Sequence, residues 1–173
     1  GGVLYHPFLS GERAPFLAPD ATSSVFGISA GTGTGELCRS IYEGVAFSTK
    51  HCLSEMDARF NKIAMTGGGT RSDLWCRIVA NVLNCDISVP RGEELGILGA
   101  GITGGVGVGI YKSYAEAVKN LVKESRRYSP EPRENSRYEE IFPLYLELVG
   151  SMKGFWKKRA SLLKKWDMED NNG

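Results

Sequence analysis

A chain of 173 residues, 42% of them AVILMFWYC and 24% charged, buries roughly 70% of the surface its unfolded form exposes, so it folds without disulfides or a structural metal. Its 21 basic and 20 acidic side chains leave a field too weak to hold a polyanion or a membrane surface, which argues against nucleic-acid and membrane partners. No signal segment or apolar run of about twenty residues stands out, and a cytoplasmic location is expected.

The opening GGVLYHPFLSGERAPF reads as the middle of a domain and predicts a fragment. Residues Val3 to Asp20 hold Pro7, Pro15, Pro19, Gly11 and the charged pair Glu12 and Arg13, the composition of a long irregular loop. Val25 to Ile28 reads as a short strand. From Thr34 the apolar residues Leu37, Ile41, Val45, Cys52 or Leu53, and Met56 recur at helical steps, predicting a helix to about Ala58 whose apolar stripe faces a sheet. Lys62 to Thr66 follows as a buried strand, Ser72 to Leu83 as a helix, Asp86 to Val89 as a strand and Leu95 to Ile110 as a glycine-rich helix. Alternation with short links predicts right-handed βαβ units around a largely parallel sheet covered by helices.

Ser113 to Glu124 fits a short helix, with Ser113 and Glu116 at capping-box spacing. Ser129 to Asn135 is a polar connector. Tyr138 to Trp166 carries Tyr138, Ile141, Tyr145, Leu148, Met152, Phe155 and Trp156 at helical spacing, and its basic end complements the helix dipole as a solvated face. Asp167 to Gly173 is polar and expected to fray. This places one domain over residues 1–150, followed by a helix end and tail over 151–173. Cys38, Cys52, Cys76 and Cys85 stand singly, and only His6 and His51 could join them, so no metal site is expected and the thiols read as reduced.

Glycine is over-represented, at 22 residues, about 13% against the usual ~7%. One cluster, Gly67, Gly68 and Gly69, lies where a strand turns into a helix beginning near Ser72. Bare backbone there lets a flat ligand rest on the peptide groups, and the helix start offers N–H donors to a phosphate. A nucleotide fits both features; a tight turn without a ligand is the plain alternative. The dinucleotide fingerprint fits poorly, because Ser72 replaces its third glycine and Asp86 begins the next strand rather than ending it. No Gly-Lys pair for a P-loop occurs.

The second cluster runs from Leu95 to Tyr111. Each interior helix glycine costs about 0.5–1 kcal/mol relative to alanine, so close tertiary contact is expected: packing for the later glycines, packing or a ligand for Gly96 and Gly99.

These residues together resemble the C-terminal half of the FGGY carbohydrate kinases, most of all the xylulose kinases among them. The family's second signature is matched by Ser23, Val25, Gly27, Ile28, Glu36, Leu37, Ser40, Ile41, Tyr42 and Glu43. YEGVAFS (residues 42–48), GGGTRS (67–72), FLSGERAP (8–15) and the aromatic helix from Tyr138 continue it, whereas the run Gly31-Thr32-Gly33-Thr34-Gly35 departs from the bulkier polar residues of relatives.

The resemblance implies a ribonuclease H-like (actin and hexokinase-like) α/β domain with a mixed sheet covered by helices. It implies transfer of the ATP γ-phosphate, with Mg2+, to a hydroxyl of a pentulose such as xylulose, with an N-terminal domain supplying the catalytic base Asp. It assigns nucleotide contacts to Gly67, Gly68, Gly69, Ser72, Gly96 and Gly99. Glu12 and Arg13 either wall the substrate cleft or brace their loop as an ion pair. Other family substrates (glycerol, gluconate, ribulose, erythritol), a dinucleotide module and a non-catalytic domain remain as alternatives, and a homodimer is compatible with the sequence.

Overall fold

The computed structural model describes residues 2–56, 60–92 and 94–170. The chain forms two units, Gly1–Arg59 with Pro132–Gly173, and Phe60–Glu131.

In the first unit, strands β1 (Leu4–His6) and β2 (Ser24–Phe26) pair antiparallel, with Tyr5 opposite Val25. β1 lies inside the segment expected to be irregular. Three residues are too few to show alternation, and the strand exists because Leu4 and His6 bury inward. Helix α1 (Thr34–Ser54) starts at Gly33, whose N–H donates to the Glu36 carboxylate at 3.0 Å. The helix ends before the expected Ala58, which lies outside the described residues. Its inward face differs from the expected stripe. Ser40, Glu43, Gly44, Ala46 and Phe47 are buried, while Ile41, Val45 and Met56 are exposed. The small residues on the buried face let β1 approach closely, most tightly at Gly44, where a β-carbon would overlap the Tyr5 carbonyl.

The same unit contains α5 (Pro132–Asp170). Pro132 opens it from within the expected connector, consistent with proline's fixed φ and missing N–H suiting the first helical position. Residues 167–170, expected to fray, are helical. Tyr138, Phe142, Tyr145, Val149 and Trp156 bury one face of α5. Phe47 stacks on Phe142 at 5.9 Å and meets Tyr138 edge-on at 5.8 Å, geometries that add to plain area burial.

The second unit holds β3 (Lys62–Ala64), α2 (Asp73–Leu83), β4 (Asp86–Pro90), α3 (Leu95–Gly107), α4 (Tyr114–Leu121) and β5 (Glu124–Tyr128). The sheet order is β3-β4-β5. β3 pairs parallel to β4 as expected of a βα unit, with Ile63 opposite Ile87, but β4 pairs antiparallel to β5. The sheet is therefore mixed rather than largely parallel. The expected helix over 113–124 stops at Leu121, and Glu124 instead starts β5. That strand escapes pattern reading because Glu124, Ser125, Arg126 and Arg127 are all exposed. β3 is half-exposed rather than buried, since among the described residues it is an edge strand bonded to β4.

The core of this unit lies between α2 and β4, where Cys76, Ile78, Val79, Ala80, Val82, Ile87 and Val89 are buried. Of the α3 glycines expected to pack, Gly105 does, and the others do not. A β-carbon at Gly96, Gly99, Gly101, Gly104 or Gly107 would meet no atom within 4 Å, and at Gly105 it would meet the Tyr111 ring at 3.0 Å.

Candidate functional site

After β3 the chain reaches Gly67 at φ 92°, a conformation that side-chain-bearing residues adopt only under strain. A single 3₁₀ turn, Gly68–Arg71, follows. It is closed on the Gly67 carbonyl, which accepts the Thr70 N–H at 3.1 Å and the Thr70 hydroxyl at 2.7 Å. The N–H of Ser72 then donates to the Gly69 carbonyl at 3.1 Å. The Ser72 hydroxyl accepts the Trp75 N–H at 3.2 Å and so caps α2.

This turn walls a cleft of about 280 Å³. Thr66, Gly67, Gly68, Thr70 and Arg71 form one side. Val89, Pro90 and Gly92 at the end of β4, Leu95 at the start of α3, and Ser125 and Arg126 of β5 form the rest. A β-carbon on Gly67 or Gly68 would meet nothing within 4 Å, so the backbone is bare at the cleft. The described lining carries two guanidinium groups and no carboxylate, which favours an anionic ligand over a bare cation.

Arg126 stands opposite Val89 in the antiparallel register and holds the turn from β5. Its Nη2 donates to the Thr70 carbonyl at 2.6 Å, and its Nη1 donates to Asp73 Oδ1 at 2.7 Å and to the Tyr128 hydroxyl oxygen at 3.1 Å. The Tyr128 hydroxyl donates in turn to Asp73 Oδ1 at 2.6 Å. That hydrogen bond, followed by the pull of Arg126, holds the Asp73 carboxyl below its ordinary range, and the same bond raises the Tyr128 hydroxyl. The first turn of α2 therefore already carries a negative charge at Asp73, and the positive charge in the cleft comes from Arg71 and Arg126 rather than from the helix start.

The structure brings together Gly67 and Gly68 from the residues expected at the site. Gly69 and Ser72 belong to the same turn but do not line the cleft. A β-carbon at Gly69 would meet the Trp75 indole at 2.8 Å. Gly96 and Gly99 follow Leu95 on α3 with their backbone open. Glu12 and Arg13 lie in the first unit, in the loop after β1. The Glu12 carboxylate accepts the backbone N–H groups of Arg13 at 2.7 Å and Ala14 at 3.2 Å, so it braces that loop through the main chain, not through an ion pair to Arg13. Ser125 and Arg126 were missed by sequence reasoning. The signal for them was the Arg126 and Tyr128 pair two residues apart, which shares one face of a strand.

The family model described as "FGGY family of carbohydrate kinases, C-terminal domain" matches residues 1–108. Over 164 residues the chain is 30% identical to a gluconokinase of Bacillus licheniformis, covering 92% of this chain and 32% of that protein. It is 32% identical over 158 residues to the L-xylulose/3-keto-L-gulonate kinase of Escherichia coli strain K12, covering 90% and 31%. The structure of a ligand-bound xylulose kinase from Lactobacillus acidophilus superposes with a TM-score of 0.83 at 26% identity, over 90% of this chain and 32% of that one. The chain thus spans about a third of the length of the relatives it matches.

Proposed function

The chain belongs to the FGGY family of carbohydrate kinases, with the α/β, actin and hexokinase-like fold of their C-terminal domain, and from that premise we propose that it is the ATP-binding half of a sugar kinase. The observation that carries this reading is the bare backbone of Gly67 and Gly68 in a cleft flanked by Arg71 and Arg126. A purine or ribose rests on peptide groups without steric penalty, while Arg71 attracts the phosphates and Arg126 holds the turn.

ATP supplies the transferable γ-phosphoryl group. In this reading Gly67 and Gly68 touch the nucleoside, Gly69 and Ser72 hold the turn in shape, and Gly96 and Gly99 offer further open backbone along α3. The acceptor is a hydroxyl of a xylulose-like pentulose or a related polyol. This choice draws on the resemblance of the motifs and on the similarity to a xylulose kinase structure; the gluconokinase relative marks an alternative class. The base that accepts the hydroxyl proton, and the groups that hold Mg2+, belong to the two thirds of such a kinase that this chain does not span. In this reading Glu12 and Arg13 face the substrate. Phosphoryl transfer of this kind is mostly positioning and charge stabilisation. Among the described residues no helix is long and apolar enough to cross a membrane. The reading takes the enzyme as cytoplasmic.

Titration of the chain with ATP, ADP and NADH, followed by calorimetry, tests the reading. Saturable binding of ATP and ADP with none of NADH is expected. Binding of NADH alone, or of none of the three, overturns it.

A further inference from the structure

We propose that Arg126 is a positioning residue that locks the turn Gly67–Arg71 into its nucleotide-accepting shape, with Asp73 and Tyr128 orienting its guanidinium. The inference rests on the nucleotide reading of the cleft and assigns a device to it.

Gly67 and Gly68 have no side chains, and the space where their β-carbons would sit is empty. Glycine backbone is the loosest in the chain, so the shape of the turn must come from its neighbours. The link is Thr70. Its N–H and hydroxyl both bind the Gly67 carbonyl, and its own carbonyl accepts Arg126 Nη2 at 2.6 Å. Three residues on, Asp73 accepts Arg126 Nη1 at 2.7 Å. One planar fork therefore spans the turn and the first residue of α2, with the Ser72 cap between them. A guanidinium can bridge two such acceptors, whereas an ammonium is a point charge.

The fork is itself held. Arg126 and Tyr128 project from the same face of β5, and Tyr128 supplies a hydroxyl that bonds both Arg126 and Asp73. Arg77 lies over the Tyr128 ring at 5.8 Å. Three of the five N–H groups of Arg126 already donate to protein oxygens, so its main effect on a nucleotide is transmitted through the turn.

This role separates from direct phosphate binding by the ligand used. The chain is titrated with adenosine and with ADP as wild type, Arg126→Met, Arg126→Lys and Tyr128→Phe. Positioning predicts that Arg126→Met weakens both ligands by the same factor, about tenfold, as for the loss of one charge-assisted hydrogen bond. Arg126→Lys should recover only part of that loss, and Tyr128→Phe should weaken both ligands equally but less. A loss confined to ADP makes Arg126 a phosphate ligand and overturns the proposal, as does unchanged binding of both ligands by a folded Arg126→Met chain. Should Arg126→Met fail to fold by circular dichroism, Tyr128→Phe decides: an equal loss supports the clamp and no loss overturns it. Failure of the wild type to bind either ligand strikes the nucleotide reading itself, and is distinct from a wild type that binds and variants that match it.

Discussion

The Tyr138 hydroxyl donates to Glu43 at 2.8 Å, joining α5 to a carboxylate on α1 that is 6% exposed. Arg39 completes the triangle, with Nε on the Glu43 carboxylate at 2.7 Å and Nη2 on the Tyr138 oxygen at 2.9 Å. Burial, then the Glu43 charge, pushes the Tyr138 hydroxyl far above its ordinary range, so it stays a donor. Glu43 closes the family signature in the sequence, and the structure shows it bracing two helices.

Tyr138→Phe removes both the bond to the buried Glu43 carboxylate and the one accepted from Arg39, and is expected to cost about 2 kcal/mol. Urea unfolding of the two proteins reads this directly. A difference within about 0.5 kcal/mol would class the triangle with inert surface pairs.

Gly44 and Gly154 are both helical glycines, but only the first is confined. A β-carbon at Gly44 would overlap the Tyr5 carbonyl and sit 2.9 Å from the Tyr5 ring, whereas at Gly154 it meets nothing within 4 Å. Gly44→Ala is expected to destabilise by about 1–3 kcal/mol or more, and Gly154→Ala to stabilise by about 0.5–1 kcal/mol. Thermal melts of opposite sign check the contrast.

Gly68 lies outside the left-handed backbone region and has open space around it, so Gly68→Val should leave the melting temperature nearly unchanged. A branched side chain would nonetheless stand where the nucleoside is proposed to lie, and ATP affinity is expected to fall at least about tenfold. Equal affinity in a folded variant removes Gly68 from the contact surface.

His6 is fully buried, with Nδ1 3.0 Å from the Ser24 hydroxyl and its ring 4.9 Å from that of Tyr145. Burial lowers its pKa below the ordinary 6.5, partly opposed by a hydrogen bond to the Tyr145 backbone. The unfolded chain therefore takes up the proton first on acidification. The stability tied to neutral His6 is complete above pH 6.5 and is lost as pH falls from there through the lower folded pKa. Unfolding free energies measured across that interval should decline toward acid, and His6→Gln should flatten this part of the profile.

Several local features are legible in the sequence. Ser72 and Ser113 both cap helices, and Glu116 bonds back to the Lys112 N–H at 2.8 Å while its own N–H reaches the Ser113 hydroxyl at 3.2 Å. Such signals survive because a cap involves residues three or four apart. The strand, glycine turn and helix around Gly67 are readable for the same reason. The inward face of α1 is not, because burial there falls on Ser40, Gly44 and Ala46, whose worth depends on how close β1 comes.

β5 marks the same boundary at the site. Its sequence, ESRRY, has no apolar alternation, yet it supplies the arginine that bridges the glycine turn to α2. By itself the sequence determined the helices, the caps, the bare glycine corner and the family to which the chain belongs, since each depends on neighbouring residues or on ordered motifs. Tertiary structure alone decided that β5 runs antiparallel to β4, that most glycines of α3 stay uncovered, and that Arg126 reaches Thr70 across 56 positions. These outcomes depend on which distant backbone groups pair, and that choice leaves no periodic mark in the chain.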